Sequence, residues 1–176
     1  MTADEYLYDT DESNRPRELT YGILREPPSP FFNHQTIVLR LARLWTDHVE
    51  SRQLGQVAVA PLDVVLDRER ALIVQPDVLF VAHDRLSIIR DQVWGAPDLV
   101  AEVLSIGTEA HDRIDKVSWY RQYGVRECWI VEPLTRTVTI HDFSPAAPEV
   151  RRVKGVEPIQ SSVLPELRTP VFRLFP

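Results

Sequence analysis

Apolar positions recur along this chain with two different periods, and the change of period divides it into elements. Over residues 31–53 the spacing is helical. Ile37, Val38, Leu41, Leu44, Trp45 and Val49 form one stripe, and Arg40, Arg43, Asp47 and Glu50 take the opposite face. Gly55 is read as the stop signal. A second helix is expected from Thr108, a capping residue type, to Gly124. Ile114, Val117, Trp119 and Tyr120 supply its buried stripe. A short helix over residues 3–8 precedes a polar stretch over 9–16. Short apolar runs predict strands at 18–24, 56–60, 63–66, 73–81, 99–104, 127–131 and 137–143. Residues 26–30 form a proline-rich loop, and the charged segment 67–70 reads as a hairpin turn. The order of helix, strands, helix, strands predicts an α/β (α+β) fold with a mixed β-sheet.

A length of 176 residues fits one domain, 1–176, with room for a full hydrophobic core. No apolar run approaches the roughly 20 residues needed to cross a bilayer. The N-terminal segment lacks a basic region and an apolar core, which argues against a signal peptide. The single cysteine, Cys128, excludes an internal disulfide and suits the cytoplasm; between Glu127 and Trp129 it reads as a packed thiol. The net charge of −6 argues against a large general affinity for nucleic acid, although 18 of the 20 cationic residues are arginine, which suits phosphate contacts.

Candidate chemistry gathers on three residues. Asp77 ends the apolar run Ile73-Val74-Gln75-Pro76-Asp77. Glu102 lies inside Leu99-Val100-Ala101-Glu102-Val103-Leu104. Lys116, one of only two lysines, follows on the second predicted helix. An acid in a buried strand is costly without a partner, and two such acids stand in neighbouring candidate strands. Side chains alternate along a strand, so Glu102 shares a face with Val100, Leu104 and Asp98; Asp98, following Pro97 at the strand's start, is expected to be exposed. Two carboxylates that converge need a cation, and Mg²⁺ (or Mn²⁺) is the simplest one. Plainer readings stand beside this: Asp77 as a turn residue, Glu102 paired with an arginine, and Asp112–Lys116 as a helix-surface ion pair. His34 sits where it could touch a phosphate or the metal, or simply pack. No histidine pair has the spacing of a helical zinc motif, and there is no glycine-rich phosphate loop or nucleophile elbow.

A longer set of motifs carries a family resemblance. It comprises Glu18-Leu19 with Gly22, the helix opening at His34, Pro76-Asp77-Val78, the run from Gly95 to Ser105, Asp112 with Lys116 and Tyr120, the run from Tyr123 to Val131, and Ser161 to Leu167. In these the chain resembles the bacterial Uma-two family of restriction-endonuclease-like proteins, part of the PD-(D/E)xK nuclease superfamily. The resemblance implies a restriction-endonuclease-like core, a mixed β-sheet flanked by helices, acting on DNA. It implies Asp77 and Glu102 as metal ligands with the Val103 carbonyl, Glu18 as a further acid at the metal, and Lys116 as the assistant to water attack. A homodimer is also expected by that analogy. Two departures stand out. The superfamily's lysine usually lies two residues after the second acid, where this chain has Leu104, and Tyr21 replaces the acid that often precedes the glycine. A catalytically silent module of the same fold, binding DNA or a protein partner, is the rival reading.

Overall fold

A computed structural model describes residues 1–8, 16–105, 111–146 and 148–176, with backbone alone at 111–113. The chain opens with helix α1 (Ala3–Leu7), started by a capping box in which Thr2 and Glu5 exchange hydrogen bonds. Strands β1 (Glu18–Thr20) and β2 (Ile23–Arg25) form a hairpin, and the long helix α2 (Phe32–Arg52) follows. Then come β3 (Gly55–Val59), β4 (Val64–Asp67), β5 (Leu72–Val74), β6 (Val78–Ala82), β7 (Val93–Trp94) and β8 (Leu99–Val103). A wide π-type turn (His111–Lys116) runs into α3 (Val117–Tyr123). The chain closes with β9 (Glu127–Glu132), β10 (Thr137–Asp142), β11 (Glu149–Lys154), β12 (Pro158–Gln160) and β13 (Arg168–Pro170). The Thr108 cap expected for the second helix lies outside the described residues.

Two mixed sheets carry the architecture, with strand orders β2-β1-β5-β4-β7 and β11-β10-β9-β8-β6-β3, and β12 and β13 pair separately. The larger sheet is antiparallel except for β8 and β9, which run parallel because the chain passes through α3 between them. One face of this sheet packs on α2. Ile37, Leu41, Trp45 and Val49 meet Val78, Phe80, Ala101, Val103 and Trp129, and Trp45 meets Trp129 edge to face at 5.1 Å. The other face meets α3 and the smaller sheet through Leu79, Val100, Leu104, Cys128, Trp119 and Tyr120. Cys128 is fully buried there as a free thiol. The expected mixed α/β fold is the one observed. Among the described residues no helix is long and apolar enough to cross a membrane.

Four expectations need correction. The run 73–81 is not one strand. Its first part is β5 of the smaller sheet and its last part β6 of the larger, because Pro76 has no N–H for a ladder and sits where the chain changes sheet. Helix α2 stops at Gln53, which adopts the left-handed conformation at φ 54°, and not at Gly55. Ile114 is 69% exposed, since the wide turn breaks the helical period, and Lys116 turns inward in its place. Asp98, expected at the surface, is fully buried. Its carboxylate accepts from the Ala82 N–H at 2.8 Å and pairs with Arg85 at 3.0 Å and Arg126 at 3.5 Å, joining the ends of β6, β8 and β9.

Gly55 is required for another reason. It begins β3 at φ +154°, and a Cβ there would stand 2.0 Å from the Val81 carbonyl oxygen. Gly124, at φ +96° after α3, has no atom within 4 Å of such a Cβ. Gly55→Ala should therefore lower unfolding stability by about 2–3 kcal/mol through overpacking. Gly124→Ala should cost only the roughly 1 kcal/mol of left-handed strain. Urea midpoints of the two variants measure the difference, and equal losses would show that the β3–β6 approach yields freely.

Candidate active site

Asp77 stands one residue before β6, and Glu102 is the fourth residue of β8. These strands pair antiparallel with Val78 opposite Ala101, so the next step of the register sets Asp77 beside Glu102. Asp77 Oδ2 accepts the Val103 N–H at 2.7 Å, and its side chain thereby extends the ladder past the end of β6. Neighbouring residues Ala101 and Val103 face α2, whereas Val100 and Leu104 face α3, and Glu102 points to the α3 side.

Lys116 comes to Glu102 from the end of the wide turn. Its Nζ donates to Glu102 Oε1 at 3.2 Å and lies 2.7 Å from Glu18 Oε1. Glu18 reaches the same point from β1, where its Oε1 also accepts the Gln75 N–H at 2.8 Å. One ammonium thus joins β1, β8 and the start of α3. Tyr120, one helical turn beyond Lys116, donates its hydroxyl to the same Glu102 Oε1. Burial, and after it the charges of Glu102 and Glu18, holds the Tyr120 hydroxyl well above its ordinary pKa, so it stays a proton donor. Tyr120 was legible as part of a buried stripe and, with Asp112 and Lys116, of the family motif, but not as a partner of Glu102; its spacing of four from Lys116 is the signal that pairs the two. His34, in the first turn of α2, sets Nε2 3.4 Å from Asp77 Oδ2.

Glu18, His34, Asp77, Glu102, Val103 and Lys116 all line one cleft of about 460 Å³. The structure therefore brings together every residue singled out for the site in the sequence. The floor is recessed, with Glu102 3% and Lys116 4% exposed. The side chain of Asp112, the expected helix partner of Lys116, lies outside the described residues.

With His34 neutral, three carboxylates face one ammonium among these side chains, which leaves a formal charge of −2. All their ligating atoms apart from the His34 ring are oxygens, the donor type that hard divalent cations take. Among the described residues no three His, Cys, Asp or Glu side chains are grouped to hold a metal. An ion here would rest on two carboxylates, a carbonyl and water. That small protein share fits Mg²⁺, which keeps several waters, better than an ion requiring a full protein cage.

Comparison with known proteins bears on the fold and the family. The fold is similar to the crystal structure of a protein from Anabaena variabilis described as "a putative nuclease belonging to DUF820". The TM-score is 0.79 at 19% identity, over 99% of this chain and 97% of that one. At that identity the likeness speaks for the fold alone. A search of curated proteins found no match. A family model described as "Putative restriction endonuclease" matches residues 3–171, nearly the whole chain, and the chain belongs to that family, Uma2.

Proposed function

We propose that the cleft hydrolyses DNA phosphodiester bonds as a metal-dependent endonuclease, with Asp77, Glu102 and the Val103 carbonyl as the seat of Mg²⁺ or Mn²⁺. The observation that carries this is the lysine on the wrong element in the right place. Lys116, displaced to the helix, still puts Nζ 3.2 Å from the second acid, beside Asp77 in one cleft. The family's description supports DNA as the substrate. A bound divalent ion would acidify water and neutralise charge on the scissile phosphate.

The remaining steps fall to the chain's own groups. The Lys116 ammonium orients the attacking water and stabilises negative charge building on the phosphoryl oxygens. Glu18 holds that ammonium in position, since its Oε1 already accepts from both Lys116 and the Gln75 N–H. Tyr120 fixes the Glu102 carboxylate by occupying Oε1 together with Lys116. The attacking water gives up a proton to bulk water as its oxygen bonds to phosphorus, one P–O ester bond breaks, and the leaving alkoxide takes up a proton from bulk water. The silent-module reading rests on the acidic total and the displaced lysine; the position of Nζ speaks against the second ground, and the net charge of −6 stands.

Circular DNA, plasmid or single-stranded, should be cut when Mg²⁺ or Mn²⁺ is added. Asp77→Ala and Glu102→Ala should each reduce cutting by more than about a hundredfold, beyond what is typical when only a ligand's partner is lost. They should also abolish the heat of Mn²⁺ binding in calorimetry. Cutting that survives both substitutions would falsify the site.

Lys116 and Tyr120 should separate by readout. Lys116→Met should lower turnover by about 10²–10³, as loss of a charge-stabilising donor does, while Mn²⁺ still binds. Tyr120→Phe should weaken Mn²⁺ by about tenfold, the size of an outer-shell effect on a ligand. If Tyr120→Phe binds Mn²⁺ as the parent does, Tyr120 merely packs.

A further inference from the structure

We infer that this cleft takes unpaired DNA, stacking its bases on Phe31 and Phe32 while one phosphodiester descends to Glu102. The inference rests on the nuclease reading above and goes beyond it in naming the form of the substrate.

The first argument is depth. Glu102 and Lys116 are almost wholly covered, and the cleft above them measures only about 460 Å³. A duplex is stiff over about 150 base pairs and carries its phosphates on the outside of a rod. An unpaired strand bends freely and can lower one phosphate into a narrow recess.

The second argument is the chemistry of the walls. Pro16, Pro27, Pro28, Pro30 and Pro61 line the cleft, and proline has no backbone N–H to offer a phosphate. Of the described lining residues, only Arg25 and Lys116 are permanent cations. Lys116 is already between two carboxylates, and Arg25 has Glu26 beside it in the chain and in the lining. Duplex binding draws its strength from many phosphate contacts, so this rim, in a chain of net charge −6, is poorly built for it.

The third argument is what the rim offers instead. Phe31 is 65% exposed and Phe32 89% exposed at the start of α2. His34 and Gln35, which line the cleft, lie three and four residues beyond Phe31, hence on the same side of the helix. Ile23 and Leu24 add exposed apolar surface on β2, whose next residue is Arg25 of the lining. Aromatic rings beside a recessed catalytic floor are platforms for unstacked bases, which present their faces only when unpaired.

The test separates binding from cutting. In EDTA, a fluorescein-labelled single strand of about 20 nucleotides should bind at least tenfold more tightly than the same sequence as a blunt duplex, the size of one stacked base. The exposed-site double variant Phe31→Ala/Phe32→Ala should lose at least tenfold of the single-strand affinity, and 2-aminopurine in that strand should lose its stacking quench. Equal or tighter duplex binding overturns the inference, as does a double variant that binds the single strand normally. Tighter binding of single-stranded RNA overturns the assignment to DNA. A dimer in sedimentation that the double variant dissociates gives this surface to a second copy and overturns it too. Cutting of duplex in preference to single strands would leave the nuclease reading intact and sink only this inference. Absence of metal-dependent cutting on every substrate would sink the nuclease reading, while the EDTA titrations still decide whether unpaired DNA binds.

Discussion

The structure turns on an ammonium held inside the protein between carboxylates from two strands. Lys116 is 4% exposed, with Glu18 at 2.7 Å and Glu102 at 3.2 Å. Removing such ions from water costs several kcal/mol for each, a cost that only close pairing and added hydrogen bonds offset. Here the backbone N–H of Gln75 and the hydroxyl of Tyr120 complete the set. The arrangement is therefore over-determined. Glu18 is fixed by the β1 hairpin and its neighbour β5, Glu102 by the centre of the larger sheet, and Lys116 by the helix that crosses between two parallel strands. Three elements with no covalent reason to converge are held to one point by charge, and that point is the floor of the cleft.

A second buried acid does a different task with similar physics. Asp98 is fully buried, yet its two arginines reach it from the surface, and it satisfies the Ala82 N–H at the end of β6. Its three partners come from the end of β6 and from the segments just after β6 and just before β9. It fastens the ends of three interior strands of the larger sheet and is not among the residues lining the cleft. Burial and pairing alone thus do not distinguish a carboxylate of the proposed site from a fastening one. The difference is access: Asp77 and Glu102 line an opening, and Asp98 does not.

Much of the fold was legible because period and burial agree. The α2 stripe of Ile37, Leu41, Trp45 and Val49 is buried, and the face of Arg40, Arg43, Asp47 and Glu50 is exposed. The strand holding Glu102 was legible as an apolar run, and the acids within it were conspicuous because charge there needs a partner. What the pattern could not show was which sheet a strand joins. Residues 73–81 read as continuous because all but Gln75 and the Pro76-Asp77 pair are apolar, although Pro76 marks the crossing. Asp98 was misplaced because a residue at a strand's start is exposed only if no neighbour covers it, and Arg85 covers it from the turn after the adjacent strand β6. The inward turn of Lys116 was hidden by the wide turn, since sequence periodicity assumes an even helix.

Moving the lysine to a helix also changes what the site depends on. In β8 the position two beyond Glu102 is Leu104, 4% exposed and packed in the second core, with its N–H bonded to the Val131 carbonyl. An apolar residue there strengthens the sheet where a lysine would weaken it. In exchange, the lysine's aim depends on how α3 docks. That docking is secured by the smaller sheet. Tyr21, at the tip of the β1–β2 hairpin, meets Trp119 edge to face at 5.7 Å, and Arg70 covers the other side of Tyr21 with its guanidinium 4.9 Å from the ring centre. From the other hairpin, Asp67 accepts the Tyr123 hydroxyl at 3.0 Å. Tyr21, which departs from the acid often found before this glycine, is thus a packing residue that holds the lysine's helix. The smaller sheet supplies Glu18 on one side of the ammonium and steadies the helix on the other, so the position of Lys116 beside Glu102 is set by a sheet that carries neither Asp77 nor Glu102.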